Sequence, residues 1–229
     1  MISVDEPFAR PPRLVKPVTT SDWTPDSVGE ADGGIVDVSS VHATGVAMEF
    51  GDAERVDLDG CQLSNVSAPG YQGELHITAS VVERSDLSRA DLRLVRSSQL
   101  TGVKLVGTDF SGGLIRDTMF TDCVLRLANF RMATFERVAF HGCVFEDVDA
   151  YSTTFIDVDF AATGLQSFNI DHATAERVDL RECTAIDLAG IRRLDGFLVS
   201  EHQLPALTYQ LAAAVGLGVE DEGARGLDR

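Results

Sequence analysis

The sequence predicts an all-β fold, a four-sided solenoid in which the chain turns a corner every five residues. Two observations predict it. Between Leu100 and Gly190, fifteen of the nineteen residues met in steps of five are Leu, Ile or Phe. Of the residues two places before each of these, seventeen of nineteen are small. Residues five apart diverge by about 140° on an α-helix and alternate between the faces of a flat strand, so neither element explains the period.

Four corners close a coil of about twenty residues, and such coils stack at about 4.8 Å. The period runs upstream in two other phases, one through Val38 and Leu58 and one from Ile77 to Leu92. Turn-forming residues predict a bulging loop at the first slip, near 69–76, and the second slip lies near 93–99. Roughly seven to eight coils would make a rod of about 35 Å. The core is expected to thin at Ala150, Ala175 and Ala185.

The two ends of the chain have a different composition. Residues 1–35 hold five of the seven prolines within their first 25 positions, which predicts an extended or disordered arm that does not join the coil. Residues 36–190 form the predicted repeat region, and residues 191–229 a helix cap followed by an acidic tail.

The predicted cap begins with a capping box at Ser200 to Gln203. Pro205 predicts a helix that starts a few residues late, because its ring clashes with the preceding turn. A solenoid needs such a cap over its last coil. The apolar residues at helical spacing are Leu204, Leu207, Leu211 and Val215.

The formal net charge of −17 argues against direct binding of nucleic acid or anionic membrane and favours a basic protein partner. Two stretches, 17–54 and 138–176, contain acids and no Lys or Arg. The N-terminus does not resemble a signal peptide, and no apolar run approaches the roughly eighteen residues that a membrane span needs. The four cysteines form no CxxC pair, which is typical of a reducing cytoplasm.

Few residue patterns suggest chemistry. Cys123, Cys143 and Cys183 share one predicted column within disulfide reach, but they occupy the small inward position and are interpreted as core filler. A second column, Asp109, Asn129, Asp149 and Asn169, could be a metal ladder or a carboxylate pair; backbone hydrogen bonding is the favoured interpretation. The five histidines show no metal spacing. The sequence therefore predicts no catalytic site, no metal and no cofactor.

Segments such as Ser88-Arg-Ala-Asp-Leu92 and Leu127-Ala-Asn-Phe130 resemble the A(D/N)LXX signature of the pentapeptide-repeat family. The resemblance covers about residues 36 to 190 and implies a right-handed quadrilateral β-helix. Within that family, the bacterial quinolone-resistance members act on DNA gyrase as DNA mimics. This chain is similar to them in length, acidity, interrupting loop and C-terminal helix.

The resemblance implies a non-enzymatic protein that binds a type II topoisomerase, gyrase, as a DNA mimic and modulates it or protects it from inhibitors. It also implies a possible homodimer through the C-terminal helix. A general interaction scaffold with an unrelated partner is the alternative. The arginines at 84, 89, 93 and 96 would have to face away from a DNA-mimic interface. The acidic face expected to bind the partner consists of Glu146, Asp147, Asp149, Asp157, Asp159 and Asp171.

Overall fold

The computed structural model describes residues 9–14, 21–22, 34–68, 71–191 and 193–218. Within them, parallel strands from successive coils pair to form a β-solenoid of about eight turns, and one short α-helix follows. The predicted all-β solenoid with a C-terminal cap helix is confirmed.

The described strands are short because each occupies one or two sides of a coil. They are β1 (Ser21–Asp22), β2 (Ile35–Ser39), β3 (Val41–Thr44), β4 (Arg55–Asp59), β5 (Gln62–Ser64), β6 (Glu74–Thr78), β7 (Val81–Glu83), β8 (Asp91–Arg96), β9 (Gln99–Thr101), β10 (Leu114–Thr121), β11 (Val124–Arg126), β12 (Thr134–His141), β13 (Val144–Glu146), β14 (Thr154–Asp159), β15 (Gly164–Asn169), β16 (Thr174–Asp179), β17 (Ala185–Ala189) and β18 (Phe197–Leu198).

Each corner is a residue in the left-handed backbone conformation. Eighteen described non-glycine residues have φ between 47° and 64°, and from Asp117 to Arg177 most of them lie five residues apart. This conformation costs an L-residue roughly 1–2 kcal/mol. It also turns the corner N–H toward the next coil: the N–H of Leu127 donates to Glu146 O at 2.8 Å, and that of Met132 to Tyr151 O at 3.0 Å. The inter-coil hydrogen bonds therefore offset the strain of the corners.

Phenylalanine rings fill the middle of the solenoid. Phe120, Phe140 and Phe160 stack in one inward column, with ring centroids 4.9 and 5.1 Å apart. All three are buried, so the predicted column is confirmed. Phe168, a large residue at a small position, packs against Phe145 at 5.7 Å. Ala150 is itself fully buried.

The small inward position also has a hydrogen-bonding role that the sequence did not reveal. Its hydroxyl and thiol groups donate to the carbonyl 23 residues earlier, which belongs to a large inward residue in the bonds named next. Thr163 Oγ1 donates to Phe140 O at 2.8 Å, and Cys143 Sγ donates to Phe120 O at 3.5 Å. Ser, Thr and Cys at this site therefore fill the core and satisfy a buried backbone acceptor.

Two of the upstream coils are shorter than twenty residues. Leu58 pairs with Ile77, an offset of nineteen, and Ile77 pairs with Val95, an offset of eighteen. Residues 69 and 70 of the loop expected near 69–76 lie outside the described residues, and the register on either side shortens the coil by one residue instead of adding any. Tyr71 packs inward there against Phe50, with ring centroids 5.4 Å apart. The phase change after Leu92 is a β-bulge in the pairing of β6 with β8.

The last coil also departs from the expected phase. Ala185 and Gly190, assigned to the inward column, are exposed, whereas Ile186 and Leu188 point inward. Leu165 pairs with Ile186 at an offset of 21 before the offset returns to twenty at Phe168 and Leu188. One extra residue after Cys183 therefore moves the larger apolar side chains into the core.

Strand pairing extends beyond the predicted repeat region at both ends. Ser21 and Asp22 form β1, which pairs in parallel with β3, so part of the segment expected to remain outside the coil joins it. Backbone pairing at an edge needs no apolar side chain, which is why composition did not reveal it. At the other end, β18 pairs with β16.

The cap begins with a 3-10 turn, Glu201–Gln203, that leads into α1, Leu204–Ala214. The capping box is present, with the Ser200 N–H donating to Gln203 Oε1 at 2.9 Å. Pro205 lies in the first turn of α1, where a missing N–H is tolerated. The α-helix therefore starts at Leu204, and the delay after the capping box is limited to the 3-10 turn. Of the four apolar residues, Leu207 is buried and Leu211 packs on the core, but Leu204 and Val215 are exposed.

Candidate functional site

The inside of the solenoid offers no room for a substrate, because large side chains such as Phe110, Phe130 and Phe155 fill it and are fully buried. Within the described ranges, no three His, Cys, Asp or Glu residues are placed to hold a metal ion. None of the described helices is long and apolar enough to cross a membrane. The outer surface is therefore the candidate functional site.

The structure separates the six predicted partner-binding carboxylates into two groups. Following the chain, one coil has four sides centred on Phe135, Phe140, Phe145 and Ala150. Four of the carboxylates lie on the sides of Phe145 and Ala150 or at the corner between them, and we call these four the acidic corner: Glu146, Asp147, Asp149 and Asp171.

The other two carboxylates lie elsewhere. Asp157 is at the diagonally opposite corner, and Asp159 is on the side of Phe140 and Phe160. Asp157 is only 2 % exposed. The six residues therefore do not form one continuous face, and Asp157 is not presented to solvent.

Most of these carboxylates have basic partners in a neighbouring coil. Glu146 pairs with Arg126 at 2.7 Å, and Asp149 with Arg131 at 2.7 Å. Asp159 lies 3.0 Å from His141, and burial raises the pKa of its carboxyl above the usual range. The stretch 138–176, acid-only in sequence, is thus partly neutralised by arginines outside it. Residues eighteen to twenty apart are neighbours in a solenoid, so a linear charge count overstates the local field.

Asp149 also belongs to the predicted Asp and Asn column, which is a backbone ladder. Asn129 Nδ2 donates to Asp109 Oδ1 at 3.0 Å, and Asn169 Nδ2 donates to Asp149 Oδ1 at 3.0 Å. Each member also accepts the N–H two residues later, as Asp149 does from Tyr151 at 3.0 Å. The interpretation as backbone hydrogen bonding is confirmed.

The cysteines are buried free thiols, as the filler interpretation predicted. Burial, with the nearby carboxylates Asp159 and Asp179, raises the pKa of Cys183 to about 12. Burial also raises the pKa of Cys61. Thiols held protonated in this way are poor nucleophiles.

The arginines that argued against a DNA mimic do not form a single patch. Arg84 and Arg89 lie at successive corners, Arg93 lies on the next side, and Arg96 lies on the side that follows. Arg84 pairs with Glu83 at 3.1 Å, and Arg93 with Asp91 at 2.6 Å. These positive charges are therefore distributed around the coil and partly neutralised.

Sequence reasoning missed a charged column at the corner that holds Asp157. Asp117, Arg137, Asp157 and Arg177 stack there, twenty residues apart, and the N-terminal segment 9–14 contacts them. The alternation of acid and base at a spacing of twenty was visible in the sequence. The contact with the N-terminal segment had no local signal.

A family model for pentapeptide repeats, nine copies, matches residues 120–164, where the coils are most regular. Over these residues the chain is similar to pentapeptide-repeat proteins. Among curated proteins, none matches it.

The chain is similar to several solved structures. Trypsin-treated QnrB1, a plasmid-mediated fluoroquinolone resistance protein, is 15% identical over 91% of this chain and 99% of its own, with a TM-score of 0.36. Rfr23 from the cyanobacterium Cyanothece 51142 is 11% identical over 69% of this chain and 91% of its own, with a TM-score of 0.28. HetL from Nostoc sp. strain PCC 7120 is 16% identical over 67% and 83%, with a TM-score of 0.25.

Proposed function

We propose that this protein is a non-enzymatic, acidic solenoid that binds the basic DNA-binding surface of a protein partner by resembling DNA, and that the partner is a type II topoisomerase. The observation that carries the proposal is a rod with a filled core, whose residues 36–190 hold 24 Asp and Glu against 12 Lys and Arg, a net charge of −12. Duplex DNA carries one charge per about 1.7 Å, or about twenty over a rod of about 35 Å. The two charge densities are of the same order.

The acidic corner supports a specific contact surface. Asp147 is exposed, stands at a corner with φ 54°, and lies beside Glu146. The bond between Glu146 and Arg126 joins side chains that are 41% and 56% exposed, so solvent screens it and it contributes little to stability. A basic residue of a partner can therefore replace Arg126 as the ion-pair partner of Glu146 with little loss of free energy.

The ion pairing described above favours the second candidate, a general interaction scaffold with an unrelated partner. Charges neutralised within the rod attract a DNA-binding surface less than the sequence suggested. Shape and exposed apolar residues would then matter more. Leu127 and Met132, each 64% exposed, flank the side that carries Asn129 and Arg131.

The homodimer is part of the same proposal. Three large side chains in or next to α1 are exposed: Leu204 at 47%, Tyr209 at 69% and Val215, which follows the helix, at 79%. Pairing two such C-terminal segments would bury apolar surface on both chains. Sedimentation at increasing protein concentration, with Tyr209→Ser as the variant, measures whether this contact forms.

Gyrase supercoiling measured with increasing protein, with and without a fluoroquinolone, tests the topoisomerase proposal. The variant Glu146→Gln with Asp147→Asn and Asp171→Asn removes three charges at the acidic corner, and asparagine tolerates the left-handed corner at position 147. The matched control removes three exposed charges from the first coils, through Asp37→Asn, Asp52→Asn and Asp59→Asn.

Loss of the gyrase effect only in the acidic-corner variant is the expected result, because a specific contact depends on position. Equal weakening in both variants would mean attraction by net charge alone, which salt suppresses steeply. If the unmodified protein neither binds gyrase at low salt nor alters supercoiling, the topoisomerase proposal is wrong and the scaffold candidate replaces it.

A further inference from the structure

The charged column at the corner between the sides of Phe135 and Phe140 is built from two identical units. Arg137 donates to both oxygens of Asp117, at 2.7 Å from Nε and 2.8 Å from Nη2. Arg177 donates in the same way to Asp157, at 2.5 and 2.9 Å. Since Asp117 and Asp157 are forty residues apart, the unit repeats every two coils.

Both carboxylates are buried and ionised. Asp117 is 7 % and Asp157 2 % exposed. The hydrogen bond from Arg137 lowers the pKa of Asp117. Burial opposes ionisation of Asp157, but the bonds from Arg177 and from the Arg10 N–H keep its pKa below the usual range. Each aspartate therefore retains a charged oxygen that can accept a further donor.

The N-terminal segment supplies that donor twice. The backbone N–H of Arg10 donates to Asp157 Oδ1 at 3.3 Å, and the N–H of Arg13 donates to Asp117 Oδ1 at 3.2 Å. Ala9, the residue before Arg10, is buried. Pro11 and Pro12 lie between the two donors and have no N–H of their own. The segment thus runs along the rod, in the direction opposite to the stacking of the coils.

The spacing of the two contacts follows from two independent repeats. Two coils advance about 9.6 Å at about 4.8 Å per coil. Three residues of an extended, proline-rich segment advance about 9.3 Å at 3.1 Å per residue, and prolines favour this conformation both at their own position and at the one before. Every third N–H of such a segment therefore meets every second corner, and the residues between need no donor.

We propose that this corner column is a binding site for extended main chain in which two residues with a backbone N–H flank a pair of prolines, and that the N-terminal segment 9–14 is its ligand in cis. The column recognises two N–H groups three residues apart. The Arg10 side chain adds only a distant ion pair, at 4.0 Å from Asp157 with the Arg10 side chain 69% exposed. A partner protein with a similar segment binds by displacing the arm.

This site is independent of the topoisomerase proposal. It lies diagonally across the coil from the acidic corner, two pentapeptides away along the chain. Its ligand is an extended peptide, whereas a DNA mimic offers a convex surface to a folded partner. Both sites can be occupied at once.

The test uses the full-length chain, because substitutions in the arm leave the coils unchanged. Arg10→Pro with Arg13→Pro removes both N–H donors and should vacate the site. Arg10→Ala with Arg13→Ala removes the two side-chain charges but keeps both donors. A fluorescent peptide of residues 7–16 is titrated into each protein and its anisotropy measured, after circular dichroism has confirmed an unchanged fold.

The proline variant should bind the peptide at least tenfold more tightly than the unmodified protein, in which the tethered arm competes. The alanine variant should stay within about threefold of the unmodified protein. A peptide with proline at both arginine positions should not bind. The proposal is overturned if the peptide binds the proline variant and the unmodified protein equally, or binds neither at millimolar concentration. The proposal is also overturned if the peptide with proline at both arginine positions binds as tightly as the original peptide.

Discussion

At the scale of the residue, the left-handed corners explain more of the sequence than the inward columns alone. Position by position, the corner accepts glycine, asparagine, aspartate, serine and arginine, and even Leu127 and Met132. The last two are 64% exposed. Nothing in the structure explains why an apolar side chain stands there. A substitution at such an exposed corner can therefore measure the cost of the left-handed backbone with little contribution from side-chain packing.

Leu127→Gly should stabilise the protein by about 0.5–1 kcal/mol. Glycine removes a left-handed strain of about 1–2 kcal/mol and adds about 0.5–1 kcal/mol of unfolded-state entropy. Little buried area is lost because the side chain is mostly exposed. Val144→Gly is the control, since Val144 is also exposed but lies in β13 outside the left-handed set, and it should destabilise. Urea denaturation gives both values; a loss of stability in Leu127→Gly similar to the control would contradict the strain account.

At the scale of the element, the sequence predicted the inward residues that recur every five positions. It did not predict the changes of register or the ion pairs between neighbouring coils. Phe120, Phe140 and Phe160 could be assigned inward because a period of five places each of them by itself. The shortened coil before Glu74 and the extra residue after Cys183 could not be predicted. The alanines and glycines near them are compatible with either assignment of the five-residue period. The bond between Asp157 and Arg177 joins residues twenty apart. A linear charge count therefore took Asp157 for a surface charge.

The cap helix shows the same limit. Leu204 and Leu207 have the same status in the sequence pattern, yet the structure buries only Leu207. The hydrogen bonds of the cap are made by glutamines: Gln203 Nε2 donates to Leu180 O at 2.8 Å, and Gln210 Oε1 accepts the Leu188 N–H at 3.0 Å. These side chains satisfy backbone groups that a further coil would otherwise pair.

Leu207→Ala should loosen the last coil, with a local cost of about 2–5 kcal/mol for a buried leucine. Leu204→Ala is the matched control on the same helix and should change stability by less than about 0.5 kcal/mol. Hydrogen exchange of the amides in β16 to β18 is the measurement. Equal exchange rates in the two variants would show that α1 does not cover the last coil as described.

At the scale of the whole molecule, the solenoid is a row of coils that contact only their neighbours, so stability is distributed along it. The pairings from β8 to β16 keep a register of twenty and include the phenylalanine columns, whereas β6 pairs with β4 and with β8 at shorter offsets. The N-terminal segment is an exception to the nearest-neighbour rule, because its contacts at Asp157 and Asp117 span two coils. The regular half should therefore form the stable part of the rod.

Phe140→Ala tests this distribution. The Phe140 ring lies 4.9 Å from Phe120, 5.1 Å from Phe160 and 5.1 Å from Phe145, so truncation leaves a cavity at the centre of the regular half. The expected cost is about 3–5 kcal/mol. In an array of neighbour contacts, the loss should appear as faster hydrogen exchange in β10 to β15, while β2 to β5 keep their protection.

Phe140→Leu is the control, because leucine occupies the same column at Leu100 and Leu180, where it is also buried. It should cost roughly 1 kcal/mol, since most of the apolar volume remains. If Phe140→Ala instead accelerates exchange equally from β2 to β17, the solenoid unfolds as one cooperative unit. The contacts between the shorter and the regular coils would then be stronger than their irregular register suggests, and the two halves could not respond independently to a partner.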